Sequence, residues 1–134
     1  MILLTVEEIL SLHENLIDKT GGSHGVRDMG LLESAIYSTE TSFEDTELYQ
    51  SVEEKAARLM FALTSNHAFI DGNKRIGVFV MLMTLELNKI NLKFSQKELT
   101  QLGLSVADGT WNCERILDWI KKHEIYKQKT VAVL

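Results

Sequence analysis

The chain contains no proline, and no stretch of it is rich in glycine and serine or in charge of one sign, so neither a linker nor an internal repeat divides it. At 134 residues it is expected to form one domain, 1–134, large enough to bury a core and too small for two. Cysteine occurs once, at Cys113, which excludes an internal disulfide and any zinc site built on cysteines. A lone cysteine of this kind reads as a small core residue rather than a nucleophile. Positive charge is also short. Fourteen Lys and Arg against 19 Asp and Glu give a net charge of −5, without the basic footprint that direct nucleic-acid binding or an anionic membrane requires. The strongest apolar run, residues 76–87, is interrupted by Thr84 and Glu86 and falls short of the ~20 residues of a bilayer span. The first ten residues carry Glu7 and Glu8 and no Lys or Arg, unlike a signal peptide, so a cytoplasmic protein is expected. Two catalytic signatures are missing as well. There is no Gly-x-x-x-x-Gly-Lys-(Ser/Thr) loop and no His-Glu-x-x-His, and Gly21-Gly22-Ser23-His24-Gly25 lacks the spacing and preceding strand of a dinucleotide fingerprint.

What is present is a succession of helix starts. Thr5 with Glu8, Ser51 with Glu54 and Ser95 with Glu98 each read as a capping box, in which the hydroxyl satisfies an orphan N–H and the glutamate reaches back to the cap. Apolar stripes follow at helical spacing: Val6, Ile9, Leu10, Leu16 and Ile17, then Val52, Ala56, Leu59, Met60 and Leu63. Asp28 is placed to cap a helix carrying Leu31, Leu32, Ala35 and Ile36, while Cys113, Ile116, Leu117 and Ile120 mark a last one. Residues 76–87 are apolar nearly all round, which predicts a helix sitting in the middle of the others. Strand signals are weak; only residues 39–49 could hold a short extended or hairpin segment. The expected fold class is all-α, around one central buried helix.

That central helix is introduced by His67-Ala68-Phe69-Ile70-Asp71-Gly72-Asn73-Lys74-Arg75. Gly72 suits a positive φ or a close approach of backbone to ligand, and Asn73 is expected to be the N-cap. Lys74 and Arg75 then fall in the first turn, where the macrodipole disfavours each cation by ~0.3–1 kcal/mol. With no compensating partner visible in sequence, this broken local rule points to a site. An anion bound at the helix N-terminus would reverse the penalty, and the free N–H groups there already favour phosphate. His67 can take a proton from an attacking hydroxyl, and a carboxylate such as Asp71 beside a polyphosphate is the usual protein ligand of Mg²⁺. The residues by themselves leave a second reading open: a structural histidine, a loop aspartate and a solvated basic edge. His13, on the apolar stripe of the first helix, reads as core or cleft lining, and Phe69 as a core anchor for the loop.

The same segment resembles the signature of the Fic/Doc family, in particular its Doc (death-on-curing) toxin branch. Gly25-Val26-Arg27-Asp28-Met29-Gly30-Leu31-Leu32-Glu33-Ser34-Ala35, Glu54-Lys55-Ala56-Ala57 and Leu85-Glu86-Leu87-Asn88 extend the resemblance over roughly residues 5–120. It implies the Fic fold, with ATP bound at the start of the central helix and a short flap over it formed by residues 39–49. This flap, carrying Phe43, Glu40, Glu44, Asp45 and Glu47, would register the target as an added strand; a solvated acidic loop is the competing reading. In the family the motif runs His-Pro-Phe-x-(Asp/Glu)-Gly-Asn-Gly-Arg-x-x-Arg. Here Ala68 replaces the proline, Lys74 the second glycine, and Val78 the distal arginine.

The last two changes mark the Doc branch, in which the γ-phosphate of ATP faces the acceptor. The implied activity is that of a toxin of a toxin–antitoxin system phosphorylating a Ser/Thr hydroxyl of a target protein, elongation factor Tu. The alternatives are AMP transfer or a non-catalytic binding module of the same fold. Carried over by position, His67 is the general base, Asp71 the Mg²⁺ ligand or acceptor-positioning carboxylate, and Gly72, Asn73, Lys74 and Arg75 the ATP phosphate binders, with Lys74 and Arg75 also catalytic. No (Ser/Thr)-x-x-x-Glu-(Gly/Asn) inhibitory string occurs, which implies inhibition in trans by an antitoxin of the Phd type.

Overall fold

The structure, a computed structural model, describes residues 1–126. Six helices are described there: α1 (Val6–Thr20), α2 (Met29–Tyr37), α3 (Val52–Asn66), α4 (Asn73–Leu87), α5 (Gln96–Ala107) and α6 (Cys113–His123). All three capping boxes form, starting α1, α3 and α5, and the Asp28 carboxylate accepts from the N–H of Leu31 at the start of α2. Among these residues no helix is long and apolar enough to cross a membrane.

The centre is a pair of helices rather than one. Buried residues on α3 and α4 face two cores. One core joins them to α1 and α2 through Ile9, Leu32, Leu63, Phe69, Ile76 and Val80. The other joins them to α5 and α6 through Met60, Met81, Leu102, Ile116 and Ile120. Gly77 permits the close α3–α4 crossing: a Cβ there would collide with the Thr64 hydroxyl and lie 3.1 Å from the Met60 carbonyl. The expectation that α4 is enclosed holds for one side only. Ile76, Gly77, Val80, Met81, Thr84 and Leu85 are buried, whereas Val78, Phe79, Leu82 and Met83 are half-buried. These residues are apolar all round, but among the described residues no further helix covers the face they leave beside α1 and α5.

Residues 39–49 do contain a hairpin. After a 3₁₀ turn (Ser38–Glu40), strands β1 (Ser42–Phe43) and β2 (Thr46–Glu47) pair antiparallel, Ser42 with Glu47 and Phe43 with Thr46. The turn residues Glu44 and Asp45 both have positive φ, 49° and 65°, the mirror-image turn that matches strand twist. A second short pair, absent from the sequence expectation, links β3 (Asn91–Leu92) to β4 (Glu124–Ile125). Two-residue strands leave no periodicity to read, so only tertiary proximity reveals them.

Candidate active site

The α3–α4 connection holds the motif, and nearly every peptide group in it has a partner. His67 terminates α3 in the left-handed region, φ 51° and ψ 45°, with its imidazole exposed. Its carbonyl accepts from Arg27 Nε at 2.7 Å, and Arg27 also donates to the Asn66 carbonyl at 3.3 Å. The main-chain N–H groups of Arg27 and Asp28 both donate to the Ala68 carbonyl, at 2.7 and 3.0 Å. Phe69, 2% exposed, is the anchor expected of it. The Ile70 N–H reaches the Gly25 carbonyl at 3.1 Å.

Asn73 is not the N-cap. The capping position belongs to Gly72, with φ 76° and no side-chain cap, and Asn73 is the first residue of α4. The Asn73 amide instead faces back into the loop, Oδ1 accepting from the Phe69 N–H and Nδ2 donating to the Phe69 carbonyl, both at 3.0 Å. An asparagine can serve both functions because it carries a donor and an acceptor side by side. The N-terminus of α4 is therefore left with free amides and no side-chain oxygen over them.

Asp71 is gripped from the α1–α2 connection. Its Oδ2 accepts from the Ser23 N–H at 3.0 Å and its Oδ1 from the Gly72 N–H at 2.8 Å, and these two bonds hold its carboxyl below the usual carboxylate range. Arg75 stands 3.6 Å from Oδ1, and its Nη1 also donates to the Thr20 hydroxyl and, at 2.7 Å, to the Gly21 carbonyl. The expectation that Lys74 and Arg75 both lack a compensating partner is thus corrected for Arg75. Apart from Asp71, four residues back in the chain, its hydrogen-bond partners Thr20 and Gly21 come from the end of α1 and cannot be read from the local sequence. Lys74 does stand free: it is exposed, forms no hydrogen bond or ion pair among the described residues, and its stem passes the α5 backbone at Gly103. Val78, one turn further on, lines the same cleft of about 290 Å³ as Lys74 and Arg75, with Leu16, Phe79 and Leu99.

His13 is a core residue of α1, as expected, and it also bonds the motif. It is 3% exposed, its ring stacks on Phe69 at 3.7 Å and 12°, and its Nε2 lies 2.7 Å from the Asp71 carbonyl. Burial pushes its pKa down, so the neutral ring donates to that carbonyl. Gly22, Ser23, His13 and Arg27 are the site residues that spacing did not single out. The sequence did hold a signal: three glycines in residues 21–25, all with positive φ, give the α1–α2 connection its close approach to Asp71. Cys113 lies away from this site, half-buried, with its thiol pushed up by burial, as suits a packing residue.

These features meet the motif of a known family, and the match is direct: the model of the Fic/DOC family covers residues 3–85. The chain belongs to the Fic/DOC family, and its helical architecture is the Fic fold. Among characterised relatives it is 36% identical over 72 residues to the protein named Toxin Doc from Mycolicibacterium smegmatis (strain ATCC 700084 / mc(2)155), a match spanning 54% of this chain and about half, 55%, of that one. It is 28% identical over 122 residues to Protein kinase doc of Escherichia phage P1, covering 89% of this chain and 93% of the phage protein.

Proposed function

We propose that this protein is the toxin of a toxin–antitoxin pair and transfers the γ-phosphate of ATP to a Ser or Thr hydroxyl of a target protein. The carrying observation is Lys74 in the first turn of α4, without a hydrogen-bond or ion-pair partner among the described residues and over amides that none of their side chains caps. A cation at that place is unfavourable alone and favourable with a polyphosphate on the helix end. Relatives named Toxin Doc and Protein kinase doc support the same reading.

Asn73, Lys74 and Arg75 present the helix-end amides, and Lys74 and the remaining donors of Arg75 supply charge-assisted hydrogen bonds to phosphate oxygens. Gly72, without a side chain, allows the polyphosphate to approach the backbone. The exposed His67 imidazole takes the proton of the acceptor hydroxyl while that oxygen bonds the γ-phosphorus. The bond from phosphorus to the β,γ-bridging oxygen breaks, and ADP leaves. In-line positioning and charge neutralisation provide most of the acceleration in such a transfer.

The Asp71 carboxylate fits Mg²⁺: it is ionised, and each oxygen accepts only one N–H, leaving lone pairs free. No cluster of three or more acidic, histidine or cysteine groups suited to a metal occurs among the described residues. Phosphate oxygens and water would therefore complete the shell, as Mg²⁺ prefers. When bound, the ion would neutralise charge on the phosphates.

Val78 favours phosphoryl over AMP transfer. It puts an apolar side chain on the cleft wall one turn beyond Lys74, in place of the arginine that in the family anchors a γ-phosphate pointing away from His67. On the family resemblance the target is elongation factor Tu, and inhibition comes from a Phd-type antitoxin. The test is to incubate the protein and a translation extract with ATP labelled at either the α- or the γ-phosphorus. Protein-bound label from the γ position alone is expected; label from the α position sinks the kinase reading in favour of AMP transfer.

A further inference from the structure

The stripe on α1 is apolar except at one place. Val6, Ile9, Leu16 and Ile17 face α2 and α4, and between them stands His13, 3% exposed. A polar side chain at a core position is costly unless it is bonded. Its Nε2 lies 2.7 Å from a carbonyl, which can only accept, so this nitrogen carries the proton.

The acceptor is what gives the contact consequence. The Asp71 carbonyl and the Gly72 N–H belong to one planar peptide unit. The N–H end of that unit donates to Asp71 Oδ1 at 2.8 Å, and the carbonyl end accepts from His13. Both ends of the plane are held, one by the side chain that the proposed transfer uses and the other by α1. Rotation of the plane would take the Gly72 N–H off the carboxylate and turn the entry into α4, where Gly72 sits at φ 76°. Nearby contacts are tight: a Cβ on Gly72 would come within 3.0 Å of Ile17 Cδ1 and 3.5 Å of His13 Nε2. Stacking on Phe69, whose own peptide groups Asn73 clasps, fixes the imidazole in turn.

We infer that His13 is a positioning residue of this site: by donating to the Asp71 carbonyl it sets the Asp71–Gly72 peptide, and through it the aim of the Asp71 carboxylate and the amides of α4. The inference rests on the transferase reading proposed above, and its test separates the two.

Two variants divide ring from donor. His13→Phe keeps an aromatic ring on Phe69 and removes the N–H; His13→Gln keeps an N–H at a similar reach and removes the ring. With γ-labelled ATP and target protein, His13→Phe is expected to lower kcat about 10²-fold, the cost typical of ångström-scale misplacement, with KM for ATP changed less than about threefold and the fold retained. His13→Gln should recover at least about tenfold of that loss. Wild-type kcat in His13→Phe, or equal losses in both variants, would overturn the inference. Amide hydrogen exchange gives a readout independent of transfer: the Gly72 and Ser23 amides, both bonded to the Asp71 carboxylate, should exchange faster in His13→Phe and recover in His13→Gln. Unchanged protection overturns the role of His13 even if the wild type is an active kinase. A wild type that transfers no label, with the exchange difference present, overturns the kinase reading and upholds the hold of His13 on the loop.

Discussion

The α3–α4 connection and the flap hairpin are two short irregular segments of one chain, built on opposite terms. In the first, Asn66, His67, Ala68, Phe69, Ile70, Asp71 and Gly72 all have a main-chain group bonded to a partner, and the partners come from α1, the α1–α2 connection and α4. In the second, residues 42–47 are all exposed and two residue pairs make the whole sheet. A hairpin of that size is marginal in water, and its turn places Glu44 and Asp45 at positive φ without the glycine or asparagine that turn favours. One buried side chain ties it to the body: Lys55, 5% exposed, donates to the Thr39 carbonyl at 2.9 Å and approaches Glu47 Oε1 at 3.5 Å. The difference matches the proposed division of labour. Groups that hold phosphates and move a proton gain from fixed geometry, whereas a segment that meets a protein partner gains from being free to adjust.

That contrast can be broken from either end. The largest effect is expected from His67→Ala, which removes the proposed base from an exposed position. Label transfer should fall about 10²–10⁴-fold, growth arrest on expression should disappear, and the melting temperature should not move. Full toxicity in this variant would leave a non-catalytic binding module as the better reading. Gly22→Ala should come next. Its Cβ would collide with Asp71 Oδ2 and lie 3.0 Å from Arg75 Nη2, at a φ of 115°. A drop of about 10² in kcat with KM for the protein target unchanged is expected, measured by steady-state kinetics.

Lys55→Met attacks the flap instead. Losing the donor to the Thr39 carbonyl should cost about 1–3 kcal/mol of stability, and KM for the target should rise several-fold while KM for ATP stays within error. An equal rise in both would show that the flap and the phosphate site are not separable. Pairing Glu44→Asn with Asp45→Gly supplies the preferred turn residues and should stabilise the protein by about 1 kcal/mol, raising the melting temperature by a few degrees in a thermal scan. If a well-formed hairpin is what the target recognises, KM falls; if adjustment matters, it rises.

The smallest effect concerns acid. Asp71 has its carboxyl depressed in the fold by the Ser23 and Gly72 N–H groups. Its contribution to stability is therefore complete above the ordinary carboxylate pKa of 3.8 and is lost as pH falls through the lower folded value. Asp71→Asn should flatten the acid limb of melting temperature against pH and leave the neutral region parallel to wild type. Glu98, held at about 2 by its hydrogen bond to His123, should give the same sign of dependence at the α5–α6 contact. A Glu98→Gln control then tells a local loss at the site from a general one.

Much of the fold could be read in advance because its signals are local. Thr5, Ser51 and Ser95 announce their helices through a bond to a glutamate three residues on, and Asp28 caps its own first turn. The motif itself was legible by residue type and spacing. Misreadings occurred where a polar side chain had a choice of partners. Asn73 has the chemistry of a cap, yet it serves as a clamp on Phe69, because the left-handed Gly72 takes the capping position and turns the amide inward. Arg75 has Asp71 four residues back as an ion-pair partner, but its hydrogen bonds were hidden because Thr20 and Gly21 lie more than fifty residues away in the chain.

By itself, then, the sequence determined the helical class, the helix starts and the candidate residues His67, Asp71, Gly72, Asn73, Lys74 and Arg75, since each depends on neighbours within a turn or two. Only the tertiary structure decided that α3 and α4 share the centre, that residues 21–25 grip Asp71, and that His13 holds the same residue from behind. Those contacts depend on where whole helices come to rest, and a hydrogen bond between residues 58 apart leaves no periodicity in the chain.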